Sequence, residues 1–257
     1  PNLLINPDFK INQRGATNYT TGYTVDRRRV TSATLDAKTK VLSNSNSASG
    51  TFLQSLENKP TGTFTVTLNV ASFTGTVKFS WKDGSTYKTG VAISKGLNTY
   101  TFTASSLTWV GIDIASGASI QLDYMKLEKG TVATSFITPN MAEELAKCQY
   151  YTVVFEPWRT ILNANTDSSV INIDTRCKMR TKPTISYITL KSGTANQFNF
   201  VSILSSKAYL ALKTNNWTSF IDSKNEVVVV NTGSGISSGA FGQVTFDNSL
   251  MLDAEIY

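Results

Sequence analysis

The chain has 257 residues, enough for one or two domains, and carries 24 Lys and Arg against 18 Asp and Glu, a formal net charge of +6. Charged residues make up 16%, well below the roughly 25% of an average soluble domain, while 35 Thr, 28 Ser and 20 Asn favour strands and turns over helix interiors. Histidine is absent, which excludes Ser-His-Asp and Cys-His catalysis and His-ligated zinc or haem.

The basic residues are spread along the chain, with Arg27-Arg28-Arg29 the densest run. That distribution argues against a phosphate-binding groove, and no nucleic-acid partner is expected. No apolar stretch of about 18 residues exists, so no membrane insertion is expected. The opening PNLLINPDFK lacks the charged region and apolar run of a signal peptide. Cys148 and Cys177 lack the spacing of a redox or zinc motif. They are read as two thiols with one or both buried, the alternative being a single disulfide.

Alternation of period two marks the strands. Thr63-Phe64-Thr65-Val66-Thr67-Leu68-Asn69-Val70 places four apolar side chains on one face, and Thr76-Val77-Lys78-Phe79-Ser80-Trp81-Lys82 repeats the scheme. Asp83-Gly84 then forms a hairpin turn, followed by strands over 87–93, 100–103, 109–114 and 120–127. Turn glycines at roughly 10- to 20-residue intervals match the rhythm of a jelly-roll or Greek-key sandwich. Thr138-Pro139 then predicts a helix start, with Thr138 as N-cap and Pro139 as first helical residue. Met141, Leu145 and Cys148 fall on its packing face. Beyond it, strands are expected over 150–155, 170–173, 184–190, 198–204, 208–212, 226–230, 242–246 and 250–256. Val227-Val228-Val229-Val230 is continuous rather than alternating, which predicts a strand covered on both faces. The expected architecture is all-β: two jelly-roll-like β-sandwich domains, 1–135 and 151–257, joined by one short α-helix within 136–150.

Candidate binding residues are aromatics out of phase with their strands. Trp81 shares a face with Val77 and Phe79, and is expected in the core. Trp109 does not: Val110, Ile112 and Ile114 claim the apolar face, which leaves Trp109 beside Gly111 and Asp113. Such a ring is a ligand platform, a subunit contact or a second core layer, since lectin-type sites pair a flat ring with nearby polar groups. Asn216 and Trp217 lie in a polar, turn-like stretch of the kind binding loops favour. Trp158 and Arg159 follow a strand end and are further contact candidates. Tyr19 and Tyr23 are read as local packing. Paired carboxylates are the one catalytic option left. Asp113, Asp123 and Glu128 are the least implausible acids, and salt-bridged or solvated roles are the plainer reading.

Four segments, taken together in order and spacing, resemble a known family. They are Asn2-Leu3-Leu4-Ile5-Asn6-Pro7-Asp8-Phe9-Lys10-Ile11-Asn12-Gln13-Arg14-Gly15 with Gly22-Tyr23-Thr24-Val25-Asp26-Arg27; Leu127-Glu128-Lys129-Gly130 with Ala133-Thr134-Ser135-Phe136; Glu143-Glu144-Leu145-Ala146-Lys147-Cys148-Gln149-Tyr150-Tyr151; and Met179-Arg180-Thr181-Lys182-Pro183-Thr184. The chain resembles the carbohydrate-binding-module-like C-terminal regions of bacteriophage tail fibres and receptor-binding proteins. The resemblance implies a jelly roll followed by a second β-domain, in a homotrimer located in the virion, assembled in the host cytoplasm beside other fibre or baseplate proteins. It further implies a non-catalytic adhesin that contacts bacterial surface polysaccharide for host attachment. The alternatives are a structural fibre or decoration protein and, third, a polysaccharide depolymerase. Where the family often shows Asp-Arg-Trp, this chain has Asp26-Arg27-Arg28, so Arg28 is a candidate hydrogen-bond donor to an acidic sugar. No cofactor is expected, apart from a structural calcium of the kind jelly-roll carbohydrate modules can hold, for which Asp8 and Asp123 are the nominees.

Overall fold

Hydrophobic alternation becomes two six-stranded antiparallel sheets in the N-terminal part of the computed structural model. The structure describes residues 1–155 and, beyond them, 159–165, 168–173, 179–181, 183–188, 197–202, 210–213, 217–221, 227–232, 241–246 and 249–256. In chain order the first strands are β1 (Asn18–Tyr19), β2 (Gly22–Tyr23), β3 (Arg29–Thr31), β4 (Thr34–Asp36), β5 (Val41–Ser43) and β6 (Gly50–Ser55). They are followed by β7 (Gly62–Thr74), β8 (Val77–Asp83), β9 (Thr86–Ala92), β10 (Gly96–Ala104), β11 (Leu107–Ile114) and β12 (Ser119–Lys129). One sheet runs β1-β4-β5-β12-β7-β10 and the other β2-β3-β6-β11-β8-β9.

The inward faces of the sheets meet in one core. Phe64, Val66, Leu68 and Val70 from β7 join Val77, Phe79 and Trp81 from β8 and Val110, Ile112 and Ile114 from β11, all nearly inaccessible to water. Trp81 packs against Phe102 with ring centroids 4.5 Å apart and against Tyr100 at 5.6 Å, which bears out its core reading. The expected hairpin forms, but its two-residue turn is Gly84-Ser85, one residue later than the Asp83-Gly84 pair suggests. Asp83 pairs with Thr86 across a two-residue loop, and Gly84 takes the positive φ (59°) such a loop requires.

Among the described residues a single helix, α1 (Met141–Gln149), follows the sandwich. It starts later than its Pro signal suggests. Asn140 is the N-cap, its Oδ1 accepting from the Ala142 amide at 2.9 Å and the Glu143 amide at 3.3 Å, so Thr138 and Pro139 precede the helix. Its buried face carries Glu144 and Cys148, whereas Met141 is 52% exposed. The packing face is therefore rotated from the apolar expectation, because Glu144 is drawn inward by the backbone amide of Asn6.

The chain divides into two compact units, Pro1–Cys148 with Ile256–Tyr257, and Gln149–Glu255. The second continues with β13 (Thr152–Phe155), β14 (Arg159–Asn165), β15 (Ser168–Ile173), β16 (Thr184–Ile188) and β17 (Gln197–Ser202). Then come β18 (Leu210–Lys213), β19 (Trp217–Ile221), β20 (Val227–Thr232), β21 (Phe241–Phe246) and β22 (Ser249–Asp253). They form sheets of three, β13-β22-β16, and seven, β18-β17-β21-β14-β15-β20-β19. The run Val227–Val230 lies in an interior strand, between β15 and β19. Strands β14 and β19 were not expected from the sequence. After β22 the chain is tied down: Ala254 donates to the Tyr151 carbonyl at 2.7 Å, and the Arg180 guanidinium donates to the carbonyls of Ala254 and Glu255 at 2.7 and 3.2 Å.

Candidate functional site

On the outward face of the second sheet, alternation along β11 leaves Trp109, Gly111 and Asp113 pointing away from the core. The pairing register arranges their neighbours in cross-strand rows. Trp109 pairs with Ser55 on β6 and Lys82 on β8, and Lys82 pairs in turn with Tyr87 on β9. Gly111 lies in a row with Arg29, Leu53 and Ser80. Asp113 pairs with Thr51 and Lys78. From Trp109 to Asp113 the strand rises about 13 Å at the usual spacing per residue.

Tyr87 ties these rows together. Its ring lies 5.5 Å from that of Trp109 at an angle of 51°, and its hydroxyl donates to Asp113 Oδ2. Since β8 separates β9 from β11, the Tyr87 side chain must cross over β8 to reach both partners. Ser80, on this face of β8, is accordingly shut off from water. Burial, with the hydrogen bond to Asp113, pushes the Tyr87 hydroxyl above its ordinary range, so it stays protonated and donating. Tyr87 is 45% exposed while Trp109 is only partly accessible. Tyr87 thus supplies the open ring and Trp109 backs it. Beneath them the floor admits no side chain at position 111, where a Cβ would sit 2.2 Å from the Phe52 carbonyl oxygen and 2.8 Å from Leu53. The arrangement offers two tilted rings, a carboxylate held by a phenol, and flanking lysines. Those are the ingredients of sugar recognition: a flat apolar ring with few directed polar groups.

Other nominated residues are placed differently. Arg28 is fully buried, its guanidinium 4.9 Å from the Phe9 ring centroid and 5.7 Å from that of Phe52, with Nη1 3.8 Å from Met125 Sδ. It cannot present a hydrogen bond to a surface sugar, and that expectation is corrected. Burial, with the charge of Arg27, pushes it down to about 9. Asp8 pairs with Lys10 at 2.8 Å, and Asp123 accepts from Asn69 at 2.8 Å. Among the described residues no three Asp, Glu, Cys or His side chains gather as a metal site, so the calcium nomination lacks a donor set there. In the second unit, Arg159 opens β14 opposite Thr245 and Trp217 opens β19 opposite Asn231. Trp217 therefore begins a strand rather than sitting in a loop. Trp158, Asn216 and Cys177 lie outside the described residues.

Glu128 has a structural task. It forms a buried pair with Lys126 at 3.0 Å and accepts from the Thr134 amide at 3.0 Å and hydroxyl at 2.6 Å. Lys126 in turn donates to the carbonyls of Thr134 and Ser135. A cleft of about 510 Å³ is lined by Lys126, Glu128, Glu144 and Lys147 among others, but these groups already satisfy one another and their neighbours. Burial raises the Glu128 pKa, yet the bonds from Thr134 and Lys126 outweigh it and hold the carboxyl below its ordinary value. The stabilisation is therefore present above the unfolded value of about 4.3 and lost as pH falls through the lower folded value. Hydrogen exchange at the Thr134 amide, corrected for its intrinsic pH dependence, is expected to lose protection below about pH 4. Glu128→Gln should remove most of that pH dependence.

Comparison with known protein families finds no matching family model, and none of the curated proteins matches the sequence. The structure is an all-β, sandwich-like fold, and no described helix is long and apolar enough to cross a membrane.

Proposed function

We propose that this chain is the adhesin part of a bacteriophage fibre or spike, binding bacterial surface polysaccharide without cleaving it. The observation that carries the reading is the Tyr87–Trp109–Asp113 cluster on the outward face of β9, β8 and β11. Buried aromatics explain themselves as core. An exposed tyrosine stretched across a strand to meet a half-covered tryptophan and a carboxylate is better explained by a ligand. The non-catalytic reading is supported by the acids themselves. Asp113 is engaged by Tyr87, Asp123 by Asn69, and Glu128 by Lys126 and Thr134, so each of the three nominated acids already has a partner within the fold instead of facing another acid across a substrate gap. Each site would bind modestly. The homotrimer implied by the family resemblance would raise avidity through effective concentration.

The test is retention of purified protein on candidate host cells and on their extracted polysaccharide, with polymer length measured in parallel. Retention with unchanged polymer length supports an adhesin. Retention with shortening polymer would replace it by a depolymerase, and no retention across a broad host panel would favour a structural fibre role. Where the protein is retained, Trp109→Ala and Tyr87→Ala are each expected to weaken binding about tenfold or more, in line with lost ring stacking. Because both side chains lie outside the core cluster, the stability of the fold should change by less than about 1 kcal/mol.

A further inference from the structure

We infer that the glycan accepted by this face is anionic, an inference that rests on the adhesin reading and specifies its ligand. The outward face of the second sheet carries three cations, Arg29, Lys78 and Lys82, and the register spreads them around the aromatic pair. Lys82 lies in the row of Trp109 and Tyr87, Lys78 in the row of Asp113, and Arg29 in the Gly111 row, one strand in from the sheet edge. The one acid interleaved with them, Asp113, takes its hydrogen bond from Tyr87 rather than from a lysine. Among the described residues none of the three cations forms an ion pair, and the half-buried Arg29 has its Nε shut off from water with no hydrogen-bond partner. Lys88, the lysine of β9, differs: it is paired with Asp83 at 3.2 Å.

A neutral sugar needs donors and acceptors in mixed supply. This face supplies an excess of donors and positive charge beside its rings, and its one carboxylate is engaged. Burying unpaired ammonium groups under a neutral glycan would strip their water without compensation, whereas a carboxylate or phosphate on the sugar restores it through charge-assisted hydrogen bonds. The net charge of +6 acts in the same direction, drawing a polyanion toward the surface before contact. Uronate carboxylates and sugar phosphates share this chemistry, and both are accessible to chemical removal.

The experiment uses surface polysaccharide from cells that retain the full chain, in three preparations: untreated, carboxyl-reduced by carbodiimide and borohydride, and dephosphorylated with cold hydrofluoric acid. Affinity is expected to fall about tenfold on one of the two treatments, and to fall with rising salt on the untreated polymer. The double variant Lys78→Gln/Lys82→Gln should lose a similar factor on untreated polymer, since exposed charge contacts are each worth a few-fold. It should lose nothing further on the neutralised polymer, and Lys78→Arg/Lys82→Arg should restore binding. Equal affinity for all three preparations, with the glutamine variant matching wild type, would overturn the anionic assignment and leave the adhesin intact. Failure of the unmodified chain to be retained by any cells would instead remove the adhesin reading beneath it.

Discussion

Replacing Trp81 by alanine is expected to destabilise the first unit by about 3–5 kcal/mol, the usual cost of deleting a large buried aromatic. The site gives little room for relaxation. Trp81 stands on the β8 sheet, while its partners Phe102 and Tyr100 stand on β10 of the opposing sheet, with ring centroids at 4.5 and 5.6 Å. Tyr100 stacks on Phe79 at 5.7 Å, and Phe102 approaches Phe64 at 5.9 Å. Removing the indole therefore opens a hole in the block of rings that bridges the sheets, and its walls are rigid aromatics from two directions. Against a typical total of about 5–15 kcal/mol for a domain, the loss is about a fifth or more. The chain has two units, so a global melting curve would blur the effect. Hydrogen exchange of the slowest β7 and β11 amides isolates it, with an expected acceleration of about two to three and a half orders of magnitude. An acceleration below about fivefold would mean that the rings are not what joins the sheets.

How much of this was legible beforehand depends on strand length and on which residue types carry the signal. Where strands are long, phase sufficed: Trp81 and Trp109 lie on different strands, and alternation alone sent one inward and the other outward. Strands β1 to β5 have two or three residues each, too short for a period of two to show, and none was anticipated. Tyr87 was missed as a site residue because β9 is an edge strand exposed along most of its length, so its pattern marks no face. Yet the signal was present. The two-residue turn at Gly84-Ser85 dictates that Tyr87 pairs with Lys82, and Lys82 stands next to Trp109. Following the hairpin register across one more strand would have found the aromatic pair. The helix cap shows competing local signals, since Thr138-Pro139 and Asn140 both make good starts and only hydrogen bonding decides between them.

Residues from the first three segments that resemble tail-fibre regions build structure in the first unit, while the fourth lies in the second. Asn6 holds the Ile11 and Asp26 carbonyls through its amide nitrogen and accepts from the Ile11 amide, while its own amide donates to Glu144 at 2.6 Å. Asp26 accepts from the Gln13 backbone and lies 3.8 Å from Arg14. A buried network of this kind demands particular side chains at particular positions, which is why it stands out in the sequence. The candidate ligand face draws on none of these residues, so the resemblance and the site are separate lines of argument.

Arg28 is the odd member of that neighbourhood, and Arg28→Met is expected to stabilise the protein by about 1–3 kcal/mol. Arginine is almost never fully buried without partners, and its nomination as a sugar ligand rested on its standing where the resembled family often has Trp. Here Nε and Nη2 are buried without hydrogen bonds, and Nη1 has only the weak acceptor of Met125. The rings of Phe9 and Phe52 offer cation–π attraction, worth on the order of 2 kcal/mol when desolvated. Removing a charge from water costs several kcal/mol per ion after relaxation, so desolvation wins. Methionine fills a long apolar slot flexibly and favours aromatic neighbours. Glu144 keeps Lys147 at 2.9 Å and the Asn6 amide as partners when the guanidinium is gone. Slower exchange of the β3 and β6 amides would register the gain, and a loss above about 2 kcal/mol would instead make Arg28 the needed counter-charge of Glu144. Glycan retention should be unchanged in the same variant, because a residue sealed beneath Phe9 and Phe52 cannot touch a ligand at the surface. Stability rising while binding stays level is the pattern that assigns Arg28 to the interior and not to a ligand face.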